Sequence, residues 1–138
     1  MAFKNMKIPA QIPIYGAPIK GCKVPESAHM GTFFNQLRIN HPEYAAICLH
    51  IFNEGKKTPQ QVAREKLVGM IPGASDIILP GASTFVCEMK SQSPSAKISQ
   101  EQIAYLLAAQ QAGAFVCIAL GHKAAIEAFN DWVKLNNA

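Results

Sequence analysis

An aspartate and a Glu-Met-Lys triplet, separated by eleven residues, are the groups in this sequence best suited to chemistry. The stretch runs from Asp76 through two apolar segments and a Pro-Gly turn to Glu88, Met89 and Lys90. An ionised side chain beside such apolar segments is costly to desolvate unless it is paired or bound to a metal. Two carboxylates and an ammonium group that converge can hold a divalent cation and act on a phosphodiester.

The turn between the two apolar segments decides whether Asp76 reaches Glu88. Side chains alternate along a strand, so Glu88 and Lys90 share a face about 6.6 Å apart. A loop of three or five residues puts Asp76 directly opposite Glu88. A two- or four-residue loop puts it opposite Cys87, on the other face, unless a bulge corrects the register. The sequence leaves both registers open.

If these groups converge, their charges assign them different tasks. Asp76 and Glu88 are hard oxygen ligands suited to Mg²⁺ or Mn²⁺. The backbone carbonyl of Met89 lies between the two functional side chains and can supply another oxygen. Lys90 can orient a metal-activated water or stabilise the transition state as a fixed cation. The alternative is a structural Glu–Lys pair at the end of a strand.

The elements that must position these residues alternate between helix and strand. Pro42 ends the first helix, Thr58-Pro59 is typical of a helix start, and Ser99-x-x-Gln102 is a capping-box signature. The predicted elements are a helix over 26–40, a buried strand over 44–52, a helix over 58–68, the hairpin, a helix over 99–112, a strand over 115–120 and a helix over 122–134. The order α-β-α-β-β-α-β-α predicts an α/β fold with a small mixed sheet flanked by helices.

Residues 1–25 differ in composition from the rest of the chain. Four lysines are interleaved with four prolines, and no acidic residue precedes Glu26. Proline favours extended or turn geometry. We therefore expect an extended basic arm, ordered by docking on the body or on a partner, and one domain over 26–138. The alternative is a frayed basic terminus.

The bulk composition describes a globular chain with a mild positive charge. The 138 residues are 49% apolar and 16% charged, with a net charge of +4. This charge permits a polyanionic partner but does not require one. No run of about 18 apolar residues is available to span a membrane. Four cysteines without metal-ligand spacing predict reduced thiols and a cytoplasmic location, and the scattered histidines disfavour a zinc site.

The wider pattern resembles the PD-(D/E)xK nucleases, and within them the VRR-NUC family, from Glu26 onward. The resemblance is carried by four segments: the helix from Glu26 to Leu37, the Asn53-Glu54-Gly55-Lys56 loop, the G-x-x-D and E-x-K hairpin, and Ser99-x-x-Gln102. It implies a restriction-endonuclease-like core. The sequence departs from the family at Met30, where glutamine is usual, and at Ala74-Ser75, where Gly-x-Pro-Asp is common.

The resemblance implies roles for individual residues. Asp76, Glu88 and Lys90 match the catalytic triad, and Glu26 matches an additional metal ligand. The alternative for Glu26 is a first-turn acid favoured by the helix dipole. Gln102 matches a glutamine that faces the active site, although its amide is also suited to the capping box with Ser99.

Family members of the stand-alone type, from phage or bacteria, are similar to Holliday-junction resolvases and act as homodimers. The resemblance therefore implies a metal-dependent, structure-specific DNA endonuclease that leaves 5′-phosphate and 3′-hydroxyl ends, in a bacterial cell or a phage-infected host. Lys56, Lys57, Lys97 and the lysines of the arm are the expected phosphate contacts. The alternatives are a flap, nicking or restriction-type nuclease, and a non-catalytic DNA-binding module with the same fold.

Overall fold

The computed structural model describes Phe3 and residues 7–52 and 57–137. Its helices are α1 (Glu26–Asn40), α2 (Pro42–Ala45), α3 (Pro59–Leu67), α4 (Gln100–Gln111) and α5 (His122–Asn136). Its strands are β1 (Ile14–Tyr15), β2 (Leu49–His50), β3 (Ile77–Leu79), β4 (Phe85–Lys90) and β5 (Phe115–Leu120). In this part of the chain the strands form one sheet in the order β1-β5-β4-β3-β2. The predicted mixed sheet flanked by helices is confirmed.

Strands β4 and β5 form the centre of the sheet, and different helices pack on its two faces. The strands pair in parallel from Phe85 opposite Phe115 to Lys90 opposite Leu120. On one face Phe85, Cys87 and Met89 belong to the core that α1 and α5 cover. On the other face Val86 packs in a second core with residues of α4. Strand alternation therefore places Glu88 and Lys90 on the α4 face, where the apolar row of β4 ends.

Part of the N-terminal segment lies in the sheet. Strand β1 pairs in parallel with β5, with Ile14 opposite Ile118 and Tyr15 opposite Ala119. Ile12, just before it, is buried in the core on the α4 face. The hydroxyl of Tyr15 donates a hydrogen bond to Asp131 of α5 at 2.8 Å. The sequence does not predict this edge strand, because two residues provide no detectable periodicity.

The prediction of a continuous buried strand over Tyr44–Phe52 is wrong. Pro42–Ala45 is the short helix α2, and the strand is reduced to β2 at the edge of the sheet. Proline at the first helical position favours helix here because its missing N–H is not needed there. Phe52, two residues beyond this edge strand, is 70% exposed.

The loop between β3 and β4 is held by the last helix. It comprises residues 80–84. Trp132, which is fully buried in the core, donates a hydrogen bond from its indole N–H to the Ser83 carbonyl at 2.6 Å. The side-chain oxygen of Asn136 accepts a hydrogen bond from the Ser83 N–H at 3.1 Å. A β-carbon added to Gly81 would lie only 2.6 Å from the Trp132 ring, so glycine is needed at this close approach.

Candidate metal and catalytic site

The odd-numbered loop sets the register that places Asp76 opposite Glu88. Ile77 pairs with Cys87 and Leu79 with Phe85, and continuing this register by one residue pairs Asp76 with Glu88. The Met89 N–H donates a hydrogen bond to Oδ2 of Asp76 at 3.0 Å. The N–H and carbonyl of one strand residue point to the same side, so the Met89 carbonyl is directed toward the Asp76 strand. Of the two registers that the sequence left open, the structure has the one in which the carboxylates meet.

Three carboxylates meet at this point. Glu26, Asp76 and Glu88 each offer an oxygen atom, and these atoms lie within 4.8 Å of one another. Asp76 and Glu88 are buried, with 8% and 1% of their surface exposed. Oε1 of Glu88 is one of the buried polar atoms of the described chain without a hydrogen-bond partner. Hard oxygen donors at this spacing, one of them without a partner, fit a divalent cation such as Mg²⁺ or Mn²⁺.

The electrostatics of Glu88 also favour a bound cation. Burial, then the hydrogen bond and the negative charge of Asp76, raise the pKa of Glu88 to about 10. Glu26 adds to this rise, and Lys90 opposes it. The Lys90 ammonium lies 3.6 Å from Oε2 of Glu88. One buried lysine does not offset the crowding of carboxylates, so the site favours an additional positive charge.

Gln102 makes both sets of contacts that the sequence analysis left as alternatives. Its backbone N–H donates to Oγ of Ser99 at 3.1 Å, and its Oε1 accepts from the Ser99 N–H at 2.8 Å, which completes the capping box of α4. The same Oε1 accepts a hydrogen bond from the Lys90 ammonium at 3.1 Å. Its Nε2 donates to Oε2 of Glu88 at 3.2 Å. The cap therefore fixes the amide that holds the two charged side chains.

Glu26 likewise satisfies both descriptions that the sequence offered, an acid in the first turn of a helix and a member of the carboxylate group. It is the first residue of α1 and the acidic residue of the first turn, where the helix dipole favours a negative charge. It also belongs to the carboxylate group with Asp76 and Glu88. Helix α1 packs on the opposite face of the sheet from α4, and its N-terminus reaches the strand ends.

The carboxylates open into a cleft of about 360 Å³. Pro72, Gly73 and Ala74 line one part of it, and Ser99 and Glu101 line another. Gly73 and Ser99 belong to motifs that carry the family resemblance, whereas Pro72 and Glu101 are brought to the site only by the turn before β3 and the first turn of α4.

Gly73 packs the turn before β3 closely against the backbone at the start of α4. Its φ is +81°, and an added β-carbon would lie 2.5 Å from the backbone carbon of Glu101. Gly69 has a similar φ of +93°, with no atom within 4 Å of an added β-carbon. Left-handed backbone costs an alanine about 1–2 kcal/mol at either position, and the collision adds about 1–3 kcal/mol at Gly73 alone. We expect Gly73→Ala to lower the unfolding free energy in urea by more than Gly69→Ala. Equal losses would contradict this packing.

A histidine pair beside the site was not predicted. Nδ1 of His29 accepts a hydrogen bond from the backbone N–H of His122 at 3.2 Å, and the two Nδ1 atoms lie 3.0 Å apart. Burial, and then the charge of His122, lower the pKa of His29. The adjacent Gly121 N–H donates to the Lys90 carbonyl at 2.8 Å. The pair thus links α1 to the end of β4. No sequence spacing reveals it, since the two histidines are 93 positions apart.

Lys57 and Lys97, two of the predicted phosphate-binding lysines, lie outside the lining of the carboxylate cleft. Lys57 forms an ion pair with Glu65 at 2.6 Å, and Lys97 is exposed just before α4. Lys56 and the Asn53 loop fall outside the described residues. The structure therefore brings together Glu26, Asp76, Glu88, Lys90 and Gln102, and leaves Lys57 and Lys97 outside this group.

The sheet order and flanking helices define a restriction-endonuclease-like α/β fold. Among solved structures the chain is similar to one described as "VRR_NUC domain protein", with a TM-score of 0.69 and 17% sequence identity. The likeness covers 83% of this chain and 93% of that chain. No protein-family model and no curated protein matches the sequence. The resemblance drawn from the sequence is confirmed as a likeness of fold, which is the VRR-NUC fold.

Proposed function

We propose that this chain is a metal-dependent endonuclease of the VRR-NUC family that hydrolyses phosphodiester bonds in DNA. The observation that carries the proposal is the convergence of Glu26, Asp76 and Glu88 beside Lys90, on the fold of a VRR_NUC domain protein. Carboxylates and a lysine at strand ends in an open cleft are suited to phosphoryl chemistry, where charge stabilisation provides most of the catalysis.

Each residue has a separate task in the proposed reaction. Asp76, Glu88, Glu26 and the Met89 carbonyl would hold Mg²⁺ or Mn²⁺. The bound cation would lower the pKa of a coordinated water and neutralise charge at the scissile phosphate. The Met89 N–H holds the Asp76 carboxylate in place. Lys90 presents a positive charge that the Gln102 amide orients toward the cleft.

DNA contacts beyond the cleft are assigned to basic residues at its periphery. Lys57 lines a pocket with Pro72 and Gly73 of the cleft, and Lys97 lies two residues before Ser99 in the chain. Lys56 and the lysines of the N-terminal segment would extend the basic surface. The net charge of +4 is small for a DNA-binding domain, so a homodimer with twice the charge would hold phosphates better. A cytoplasmic location, in a bacterial cell or a phage-infected host, accords with the four free cysteines.

The preferred substrate is proposed to be branched DNA of the Holliday-junction type. The sequence has no recognisable helix-turn-helix or zinc-finger motif for reading bases, which favours recognition of DNA shape. Flap or nicking activity and restriction-type cleavage are the enzymatic alternatives. A DNA-binding module that keeps the fold without cleaving is the non-enzymatic alternative.

A panel of four-way junction, flap, nicked, duplex and single-stranded DNA tests the proposal. Each substrate is incubated with Mg²⁺, with Mn²⁺ and with EDTA, and the product ends are mapped. We expect metal-dependent cleavage that is fastest on the junction and leaves 5′-phosphates. Fastest cleavage of the flap or nicked substrate would favour those alternatives. Binding without cleavage of any substrate would favour the non-catalytic module.

The capping role of Gln102 can be tested separately from its contacts with Lys90 and Glu88, because α3 carries a matched capping box. Gln61 makes the same two bonds with Thr58, and the site makes no use of it. We expect Gln61→Ala to lower stability by about 0.5–1.5 kcal/mol, and Gln102→Ala to lower it further because its bonds to Lys90 and Glu88 are also lost. Only Gln102→Ala should lower the cleavage rate, by roughly tenfold or more, since Lys90 loses its orientation. Equal cleavage rates for the two variants, compared at equal folded fraction, would restrict Gln102 to the cap.

A further inference from the structure

A second pocket adjoins the carboxylate cleft on the other side of Glu26. Its volume is about 530 Å³, and Glu26 lines both spaces. The pocket lies between α1 and the β2 edge, and three aromatic side chains, Phe34, His50 and Phe52, line it. The Ile51 N–H, between His50 and Phe52 in the chain, donates to the Asp76 carbonyl at 2.7 Å, so this segment is bonded directly to a residue of the site.

The three aromatic rings of this pocket form a contiguous cluster, and Phe52 at its end has an accessible ring surface. The ring centres of Phe34 and His50 are 6.0 Å apart, and those of His50 and Phe52 are 6.4 Å apart in an edge-on arrangement. Phe52 is 70% exposed. Arg38 also lines the pocket and offers a guanidinium to a phosphate or to a ring face. Aromatic faces beside a cation are the features with which proteins hold unpaired bases.

Gly31 is the strongest indication that the space is used. It lies inside α1, where glycine is about 1 kcal/mol less favourable than alanine. An added β-carbon would meet no atom within 4 Å, and no left-handed φ requires glycine there. Packing and backbone therefore give no reason for a glycine at this position. Gly31 lines the pocket, and its lack of a side chain leaves this part of the pocket wall unobstructed.

We infer that this pocket binds an unpaired nucleobase of the DNA strand whose phosphate lies at the carboxylate site. This inference rests on the proposed function and narrows it to substrates with an unstacked base near the cut. Continuous duplex keeps its bases stacked and would leave the pocket empty. A flap supplies such a base without the cost of unpairing, whereas a fully paired four-way junction would have to open a pair at its branch point.

Filling the pocket tests the inference with a variant that should fold. Gly31→Leu introduces a side chain into open space on a helix and should not lower the melting temperature. Asn35→Leu on the same helix adds the same side chain outside the pocket lining and is the control. We expect Gly31→Leu and Phe52→Ala to lower kcat/KM on branched DNA by roughly tenfold, and Asn35→Leu to leave it unchanged.

A set of branched substrates, each lacking one base at a different position near the cut, identifies the base that enters the pocket. When that base is missing, cleavage by the unmutated protein should slow by roughly tenfold. On the same substrate, Gly31→Leu should cause no further reduction in the cleavage rate. Cleavage by Gly31→Leu at the unmutated rate, or losses independent of every abasic position, would overturn the pocket and leave the nuclease intact.

A binding measurement separates failure of the pocket from failure of the proposed function. Oligonucleotides carrying 2-aminopurine are added in EDTA, and the fluorescence change is compared for the unmutated protein, Gly31→Leu and Asn35→Leu. A change that Gly31→Leu alone loses supports the pocket even if no DNA is cleaved. The same fluorescence change for all three proteins, or no change for any of them, would overturn the inference.

Discussion

Lys90→Ala is expected to lower the rate of metal-dependent DNA cleavage by at least about 100-fold, the usual cost of removing a group that stabilises transition-state charge. The Lys90 ammonium lies on the face of β4 that carries Glu88, and Gln102 holds it beside the cleft. No other lysine lines that cleft among the residues that the structure describes. DNA binding should change much less, because phosphate contacts are spread over several lysines.

The control for this variant is Lys134→Ala, which removes one positive charge from the last turn of α5, far along the chain from the hairpin. Both variants are assayed for cleavage of a four-way junction, for binding in EDTA and for thermal unfolding. Lys134→Ala should behave like the unmutated protein. If Lys90→Ala, while folded, cleaves within tenfold of the unmutated rate, Lys90 has no catalytic role.

The site could be predicted from the sequence to the extent that it depends on local chemistry. The spacing of Asp76 and Glu88-Met89-Lys90 in apolar segments identified the charged groups, and strand alternation placed Glu88 and Lys90 on one face. The register of Asp76 could not be predicted. It depends on residues 80–84, where Ser83 is held by Trp132 and Asn136, 49 and 53 positions later in the chain.

The sheet edges were predicted least well, for a physical reason. An apolar run predicts burial, but it does not show whether a neighbouring strand exists to bury it. Tyr44–Phe52 has such a run, and most of it became a short helix, a turn and the exposed edge strand β2. At the opposite edge β1 is too short to leave a pattern. The central strands β4 and β5 were predicted well because both of their faces are covered.

Gln102 shows a further limit of arguments from sequence. The capping box and the functional site were treated as alternatives, yet a glutamine amide has an acceptor and two donors and can satisfy both. The structure uses Oε1 for Ser99 and Lys90 and Nε2 for Glu88. Where a side chain has several hydrogen-bonding atoms, a structural role is not evidence against a functional one.

Glu88→Gln is expected to abolish metal-dependent cleavage and, without metal, to stabilise the protein at alkaline pH. The folded pKa of Glu88 is raised from 4.5 to about 10. The folded state therefore retains a proton that the unfolded state releases, and its stability falls as the pH rises from about 4.5 toward 10. Glutamine is nearly the same shape and stays neutral. Each unit of pKa shift is worth about 1.4 kcal/mol, so the gain at pH 8 should reach a few kcal/mol.

Thermal unfolding from pH 5 to 9, with EDTA or with Mg²⁺, measures this effect. The unmutated protein should lose stability with rising pH in EDTA and recover it in Mg²⁺, because a cation bound only to the folded state stabilises it. Glu88→Gln should show a flatter pH profile and little response to Mg²⁺. Glu127→Gln, an exposed change on α5, should match the unmutated protein. A Glu88→Gln variant that is less stable than the unmutated protein at pH 8 in EDTA, or equally stabilised by Mg²⁺, would show that Glu88 is neither crowded by its neighbours nor a metal ligand.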